Sequence, residues 1–410
     1  MSRPISRILI FILMIAILAL PGCSSFDSFR SETLGQGGEE SPAVVRIGVF
    51  EPLTGELAEA GALEVRGIEL AHELYPEVLG MPVELVYADN RSTSESAIKA
   101  AQDLVDADVS IILGSYGNTL SLAGGNIFQE AEIPAISITG TNPLVSGSND
   151  YYFSISLSEA LQGAGAAYYL HEHRPNDFVA VMRQAHSDFY NSLTQEFSDT
   201  LNDLTGSDHA VSRMVTYPEG TEDFSSYLNL IETAVVQVVY LPCSAADAAK
   251  ILRQAKERGM TQTFIGPDIW EEEDLVSLDA EAADGMLFTS HYSEGSVMTQ
   301  RTIEFKEAYA KKYGGSTAPT HAEALAFDAY LLALDAVVRA SGATNGHAVQ
   351  VALAGTSGFM GATGMVTMDK EGDPARSILI KMIKNGEYVF IDEQKLIEKL
   401  PAEESGEDAE

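Results

Sequence analysis

The sequence predicts an α/β protein built on parallel sheets with helices on both faces. Two observations carry this. From Val44 onward short apolar runs alternate with amphipathic stretches in strict turn, the order that buries a parallel sheet under helices. The chain is also 45% apolar, and about 350 residues lie between its two polar ends, enough for two domains of ordinary size. No short fixed-period repeat is visible, which excludes a solenoid.

The elements follow in order. Val45–Phe50 reads as a strand and Leu63–Leu74 as a helix. Val83–Tyr87 is the second strand, and Ser94–Asp106 a helix that Ser94 can cap. Val109–Leu113 and Ala135–Ile138 are further strands. The pattern resumes with strand Phe178–Met182, helix Ser187–Leu201, strand Val235–Leu241, helix Ala245–Arg258, and strands Phe264–Gly266 and Met286–Thr289.

The ends have a different character. Arg3 and Arg7 precede the thirteen apolar residues Ile8–Leu20. That run is shorter than the roughly 20 residues of a spanning helix and reads as a signal peptide. Leu20-Pro21-Gly22-Cys23 resembles the lipobox of bacterial lipoproteins, cut before a cysteine that carries lipid; a plain signal peptide with an incidental cysteine, or an uncleaved anchor, is the competing reading. Residues 23–43 read as a flexible tether and 397–410 as an acidic disordered tail. The implied location is extracytoplasmic, anchored by lipid on Cys23 to a bacterial membrane.

Sixty acidic residues face 25 basic ones, a formal charge of −35. Loss of residues 1–22 removes Arg3 and Arg7 and no acid, so the mature charge is −37. Such a surface excludes nucleic acid as a partner. The acids are spread along the chain, as on a solvated surface. With Cys23 lipidated, Cys243 stands alone, and no intrachain disulfide or cysteine zinc site is available.

In open parallel sheets ligands bind where strands end and helices begin. Two such loops stand out. Gly114-Ser115-Tyr116-Gly117-Asn118-Thr119 leads into a helix whose N-terminus suits an anion, and Thr139-Gly140-Thr141-Asn142-Pro143 follows the next strand.

Several segments then align with a known pattern: Pro52-Leu53-Thr54-Gly55 with Gly61 and Gly67; Ile251-Leu252-Arg253-Gln254-Ala255 with Gly259 and Phe264-Ile265-Gly266-Pro267; and Gly364-Met365-Val366-Thr367-Met368-Asp369 with Gly372-Asp373. From about Val44 to Phe390 the chain resembles the leucine/isoleucine/valine-binding protein family, the type I periplasmic binding proteins of branched-chain amino acid ABC transporters. The resemblance implies two α/β lobes joined by three hinge crossings near Ser154–Leu157, Leu287–His291 and Gly364–Met368. Lobe I would be 44–155 with 290–365, and lobe II 156–289 with 366–396. It implies that Ser115, Tyr116, Gly117 and Asn118, with Thr139, Gly140 and Thr141, hold a ligand's α-carboxylate, and that Asp268 takes its α-ammonium. The family's first-loop aromatic position falls at Ala60, so Phe189, Tyr190, Cys243 and Trp270 are weaker candidates to line the cleft. The implied partners are a small solute such as an amino acid, and a transporter permease. A receptor that signals to a membrane kinase, and a binder of amides or short carboxylates, share the same fold.

Enzyme readings find little support. His171-Glu172-His173 lacks a third metal ligand and suits a solvated helix end. Gly163-Ala164-Gly165 lacks the strand and third glycine of a dinucleotide site. No GxSxG elbow or phosphate loop occurs. Neither a cofactor nor a metal is expected, and Glu271-Glu272-Glu273-Asp274 reads as an acidic helix start.

Overall fold

The computed structural model describes residues 44–396, apart from 294, 297, 316, 317, 343 and 344. The signal peptide, Cys23, the tether and the acidic tail lie outside the described residues.

The first sheet uses β1 (Val45–Glu51), β2 (Glu77–Val78), β3 (Met81–Asp89), β4 (Ile111–Leu113), β5 (Ala135–Ser137) and β6 (Tyr152–Ser154), in the order β2-β3-β1-β4-β5-β6. All neighbours pair parallel except β2 with β3. β1 is buried along nearly its whole length because helices cover both faces. On one face helices Ala58–Leu74 and His321–Arg339 close a core around Val49, Ile68, Leu113 and Phe327; on the other, Ser94–Asp106 and Asn118–Glu130 enclose Phe50, Leu104 and Phe128.

The second sheet begins after β6. It comprises β7 (Val179–Gln184), β8 (Val211–Tyr217), β9 (Val238–Tyr240), β10 (Thr263–Gly266) and β11 (Leu287–Ser290). The chain then returns to the first core through helices Gln300–Tyr313 and His321–Arg339, followed by Gly346–Ala354. A small antiparallel sheet forms from β12 (Phe359–Gly361), β13 (Gly364–Met368) and β14 (Pro374–Ala375). Finally β15 (Ile378–Lys384) and β16 (Glu387–Gln394) extend the second sheet, giving the order β16-β15-β11-β10-β9-β7-β8. β15 runs antiparallel to β11. Strict strand–helix alternation therefore predicts the parallel centres but not these edges. Hairpins need no covering helix, so they leave no helical period to read.

Most predicted elements recur with shifted ends. Helix 94–106 has the expected span, but Thr93 caps it, accepting from the Ser96 amide at 3.3 Å. Ser187 caps Asp188–Thr205, and Asp274, expected inside an acidic helix start, instead caps Leu275–Ala283. Gly163 and Gly165 lie inside helix Glu159–His173; a Cβ on Gly163 would stand 2.7 Å from the Leu193 carbonyl, so the small residues serve helix packing. Among the described residues no helix is long and apolar enough to cross a membrane.

Three passages connect the two sheets, and a buried guanidinium ties two of them. Arg376 is fully buried. It donates Nη1 to Ile155 O at 2.7 Å and Nη2 to Thr363 O. Burial pushes its guanidinium down to about 10. Asp328, also buried, accepts from the Thr363 amide at 2.8 Å and holds the same turn from the other side. The third passage leaves the first core after Met368, whose side chain still packs there. Replacing Arg376 with Met strands two buried carbonyls, each costing about 1–3 kcal/mol. Arg376→Met should therefore lower the urea midpoint by an amount equivalent to about 3 kcal/mol. An unchanged midpoint would mean that the guanidinium does not hold the passages together.

Candidate functional site

The carboxyl ends of β4, β5, β10 and β11 surround a cavity of 190 Å³. Seven of the residues singled out from the sequence line it: Tyr116, Gly117, Asn118, Thr139, Thr141, Phe189 and Asp268. They come from stretches more than a hundred residues apart, gathered because both sheets end there. Ser115 and Gly140 are buried behind the lining: the Ser115 hydroxyl accepts from Asn90 Nδ2 at 2.8 Å, and Gly140 O accepts from Ser154 Oγ at 3.3 Å. Tyr190, Cys243 and Trp270 lie in the second sheet's cores and not in the lining. Trp270 donates Nε1 to Cys243 O at 3.1 Å. Its ring fills the space beside Gly266, where a Cβ would stand 2.3 Å from it. Trp270 is therefore a core residue, and Gly266 is needed to seat it. Ala60 borders a wider outer hollow.

The lining also holds Ser156, Ile269, Glu272, His291 and His321, none of which the sequence offered as a ligand contact: Glu272 reads there as part of an acidic helix start, and Ser156 and His291 as parts of crossings. His291 is the most consequential. Its Nδ1 accepts from the Leu157 amide at 3.2 Å, which leaves Nε2 as the protonated nitrogen, donating to Asp268 Oδ2 at 2.6 Å. A neutral imidazole satisfies both contacts. Burial, joined by His321 and Arg376, lowers the His291 pKa despite the opposing effect of Asp268. His321 stacks on it with ring centroids 5.4 Å apart.

Asp268 is 6% exposed. Gln162 Nε2 also donates to its Oδ2, at 3.0 Å, while Gln162 Oε1 accepts from Thr289 Oγ1 and the Asp268 amide. Burial alone would raise the Asp268 pKa, but the His291 contact, followed by His321 and Gln162, brings it below the ordinary value. The cavity therefore contains a desolvated, ionised carboxylate. Opposite the second sheet's end stand neutral donors. Asn118 accepts through Oδ1 from the Thr141 and Asn142 amides at 2.8 and 3.0 Å, which turns its Nδ2 donors elsewhere. Ser156 Oγ is buried without a partner among the described residues.

Beneath the first-sheet loops lies a pair of fully buried carboxyls, Glu51 at the end of β1 and Glu64 on helix 58–74. Glu51 Oε1 and Glu64 Oε2 are buried with no other partner among the described residues, and burial raises both carboxyls, Glu64 to about 7. Such a pair shares a proton because two adjacent carboxylates cannot both ionise away from water. Glu51 Oε2 accepts the Tyr116 amide at 2.9 Å, and Glu64 Oε1 accepts from Thr139 Oγ1 at 2.6 Å. The Gly117 amide in turn donates to Thr139 Oγ1 at 3.2 Å. Two amides and one hydroxyl expected to meet a ligand thus bond within the protein. Gly114 has φ +112°, and a Cβ there would stand 2.2 Å from Glu51 Oε1, so the loop requires glycine.

Tyr116 donates its hydroxyl to Glu272, joining the two sides of the cleft. Beyond this bond lies an outer hollow of 810 Å³ bordered by Glu59, Arg66, Glu271, Asp274 and Tyr388. Two further hollows, of 540 and 830 Å³, lie elsewhere, the first at the opposite ends of β10 and β11 and the second around Tyr75 and Arg301. At the end of helix 159–173, His173 Nε2 stands 3.5 Å from Asp392 Oδ2, with Glu172 beside them, a grouping remote in sequence that is exposed and outside the cleft.

Residues 44–386 match the family described as periplasmic binding protein. Leu/Ile/Val-binding protein homolog 2 of Brucella abortus (strain 2308) is 26% identical over 346 residues, 83% of this chain and 90% of that protein. The crystal structure of a leucine binding protein LivK from Thermotoga maritima MSB8 superposes with a TM-score of 0.73 at 31% identity, covering 86% of this chain and 99% of that one. A solute binding protein of an ABC transporter from R. palustris, in complex with benzoate, shares the fold with a TM-score of 0.67 at 18% identity over 86% of this chain and 96% of that one.

Folding takes up protons at the glutamate pair, whose folded pKa values exceed the unfolded value of about 4.3. Stability then rises as pH falls, because the unfolded state binds fewer protons in that range. The pair's penalty is fully present above pH about 7 and is relieved as pH falls toward 5. Melting temperature should rise from pH 8 to pH 5.5, and Glu64→Gln should flatten that rise. Identical slopes in the two proteins would remove the pair from this account.

Proposed function

Because this chain belongs to the periplasmic binding protein family, we propose that it captures an amino acid in the cleft between its two sheets and delivers it to an ABC transporter permease. The observation that carries this reading is Asp268, a buried ionised carboxylate in a small cavity whose opposite wall offers uncharged donors. A zwitterion meets its complement at each end. Its ammonium pairs with Asp268, while its carboxylate takes Asn118 Nδ2, Ser156 Oγ and the amides at the start of helix 118–130. The similarity to a Leu/Ile/Val-binding protein homolog of Brucella and to a leucine binding protein of Thermotoga supports an amino acid ligand.

Closure follows from the same contacts. Tyr116 reaches Glu272 across the cleft, and Leu157, on the first passage, donates to His291. Ligand that draws the two sides together favours the closed arrangement by the difference in its affinity for the two states. The passages near 154–157, 287–291 and 364–368 act as hinges between lobe I, 44–155 with 290–365, and lobe II, 156–289 with 366–396. The chain is secreted and held to the membrane by lipid on Cys23, so the binding unit works near the permease.

A thermal-shift screen against amino acids, amides, benzoate and sugars tests the reading. A ligand present at a hundredfold excess over its Kd adds about 2.7 kcal/mol of stability. Amino acids should shift the melting temperature, and benzoate and sugars should not. Asp268→Asn should weaken an amino acid at least tenfold, about 1.4 kcal/mol, while its deaminated analogue loses little. Equal losses for both would sink the ammonium role, and a shift with benzoate alone would replace the ligand class.

A further inference from the structure

We propose that the preferred solute carries a second positive charge: an α-amino acid whose side chain ends in an ammonium or guanidinium. The proposal rests on the amino acid reading above and adds the nature of the side chain. The inner cavity and the outer hollow adjoin, with Tyr116, Glu272 and His321 in both linings, and only the Tyr116–Glu272 contact stands between them. Their carboxylates are Asp268, Glu272, Glu59, Glu271 and Asp274, and among the described residues Arg66 is the only permanently cationic lining group. That guanidinium is already engaged, 2.7 Å from the buried carboxylate of Glu323. Lys381 is spent on Glu271 and the Tyr292 carbonyl. Glu272, Glu59 and Asp274 have no cationic partner among the described residues.

Asp268 is matched by the ligand's α-ammonium; of the outer acids, Glu272 accepts from the Tyr116 hydroxyl and Asp274 from Ser277 and the Tyr388 hydroxyl, neutral donors that leave their negative charge uncompensated. The hollow is also amphipathic in the manner such a side chain needs. Ala60, Leu63 and Ala322 supply an aliphatic wall, while Glu272 and Asp274 stand beside it. A methylene stem lies on the first and its charged head reaches the second. A branched aliphatic side chain would use the wall and leave the acids facing each other. A simple anion would find no free cation among the described residues of either lining.

Isothermal titration of the purified full chain with L-lysine, L-arginine, L-leucine and benzoate tests this. Lysine or arginine should bind at least tenfold more tightly than leucine, and raising salt from 0.05 to 0.5 M should narrow that ratio. Glu272→Gln should reduce the lysine-to-leucine ratio about tenfold, and Glu59→Gln should reduce it to a smaller extent. Leucine binding as tightly as lysine and arginine, or no binding of either basic amino acid at millimolar concentration, overturns the proposal. Leucine preference would leave the amino acid reading standing, whereas benzoate binding above every amino acid would remove both.

Discussion

A neutral histidine holding an ionised aspartate away from water is the contact around which the cleft is organised. His291 reaches Asp268 from the end of β11 and takes the Leu157 amide on its other nitrogen. One side chain therefore joins the charge at the end of β10 to the first passage between the sheets. An isolated carboxylate in so dry a place would protonate. The imidazole and Gln162 keep it charged, and a charge kept ready in a small cavity attracts a complementary ligand without reorganisation at the moment of binding.

The opposite wall is governed by a different economy of polar groups. Glu51 and Glu64 occupy the space under the first sheet's loops and take the Tyr116 amide and the Thr139 hydroxyl. They fix the loop geometry at the cost of donors that would otherwise face the cavity. The donors left on that side of the cavity are Asn118, Ser156 and the start of helix 118–130. The same pair adds negative potential behind the site, in keeping with the acids that border the outer hollow.

The passages are fastened by buried polar groups as well. Arg376 bonds carbonyls of the first and third passages, and Asp328 holds the turn that Arg376 touches. Apolar packing alone is tolerant of sliding, whereas hydrogen bonds with no water to replace them are not. The first and third connections are thus fastened to each other by these bonds, and Leu157 and His291 of the cleft sit beside them.

The central strands and the helices between them were legible because a covered parallel sheet writes itself as apolar runs separated by 3.6-period stretches, whereas helices 225–232, 300–313, 321–339 and 346–354 were not read. The loops after β4 and β5 were legible for the same reason, since function collects where such strands end. The antiparallel strands β12–β16 were not, because short edge strands carry no covering helix and little period. Glu64 left a faint signal, a carboxylate in the stripe Gly61, Gly67, Ile68 and Ala71 that helix 58–74 buries. Ser156, His291 and His321 left none: each is an ordinary polar residue in its local context. Trp270 and Cys243 looked like cleft residues because they follow strand ends, yet they turn inward to fill the core. Apolar and helical periods along the chain placed the parallel strands and the loops at their carboxyl ends. Only the tertiary structure decided which side chains face the cavity, because that depends on groups from distant segments competing for the same hydrogen bonds.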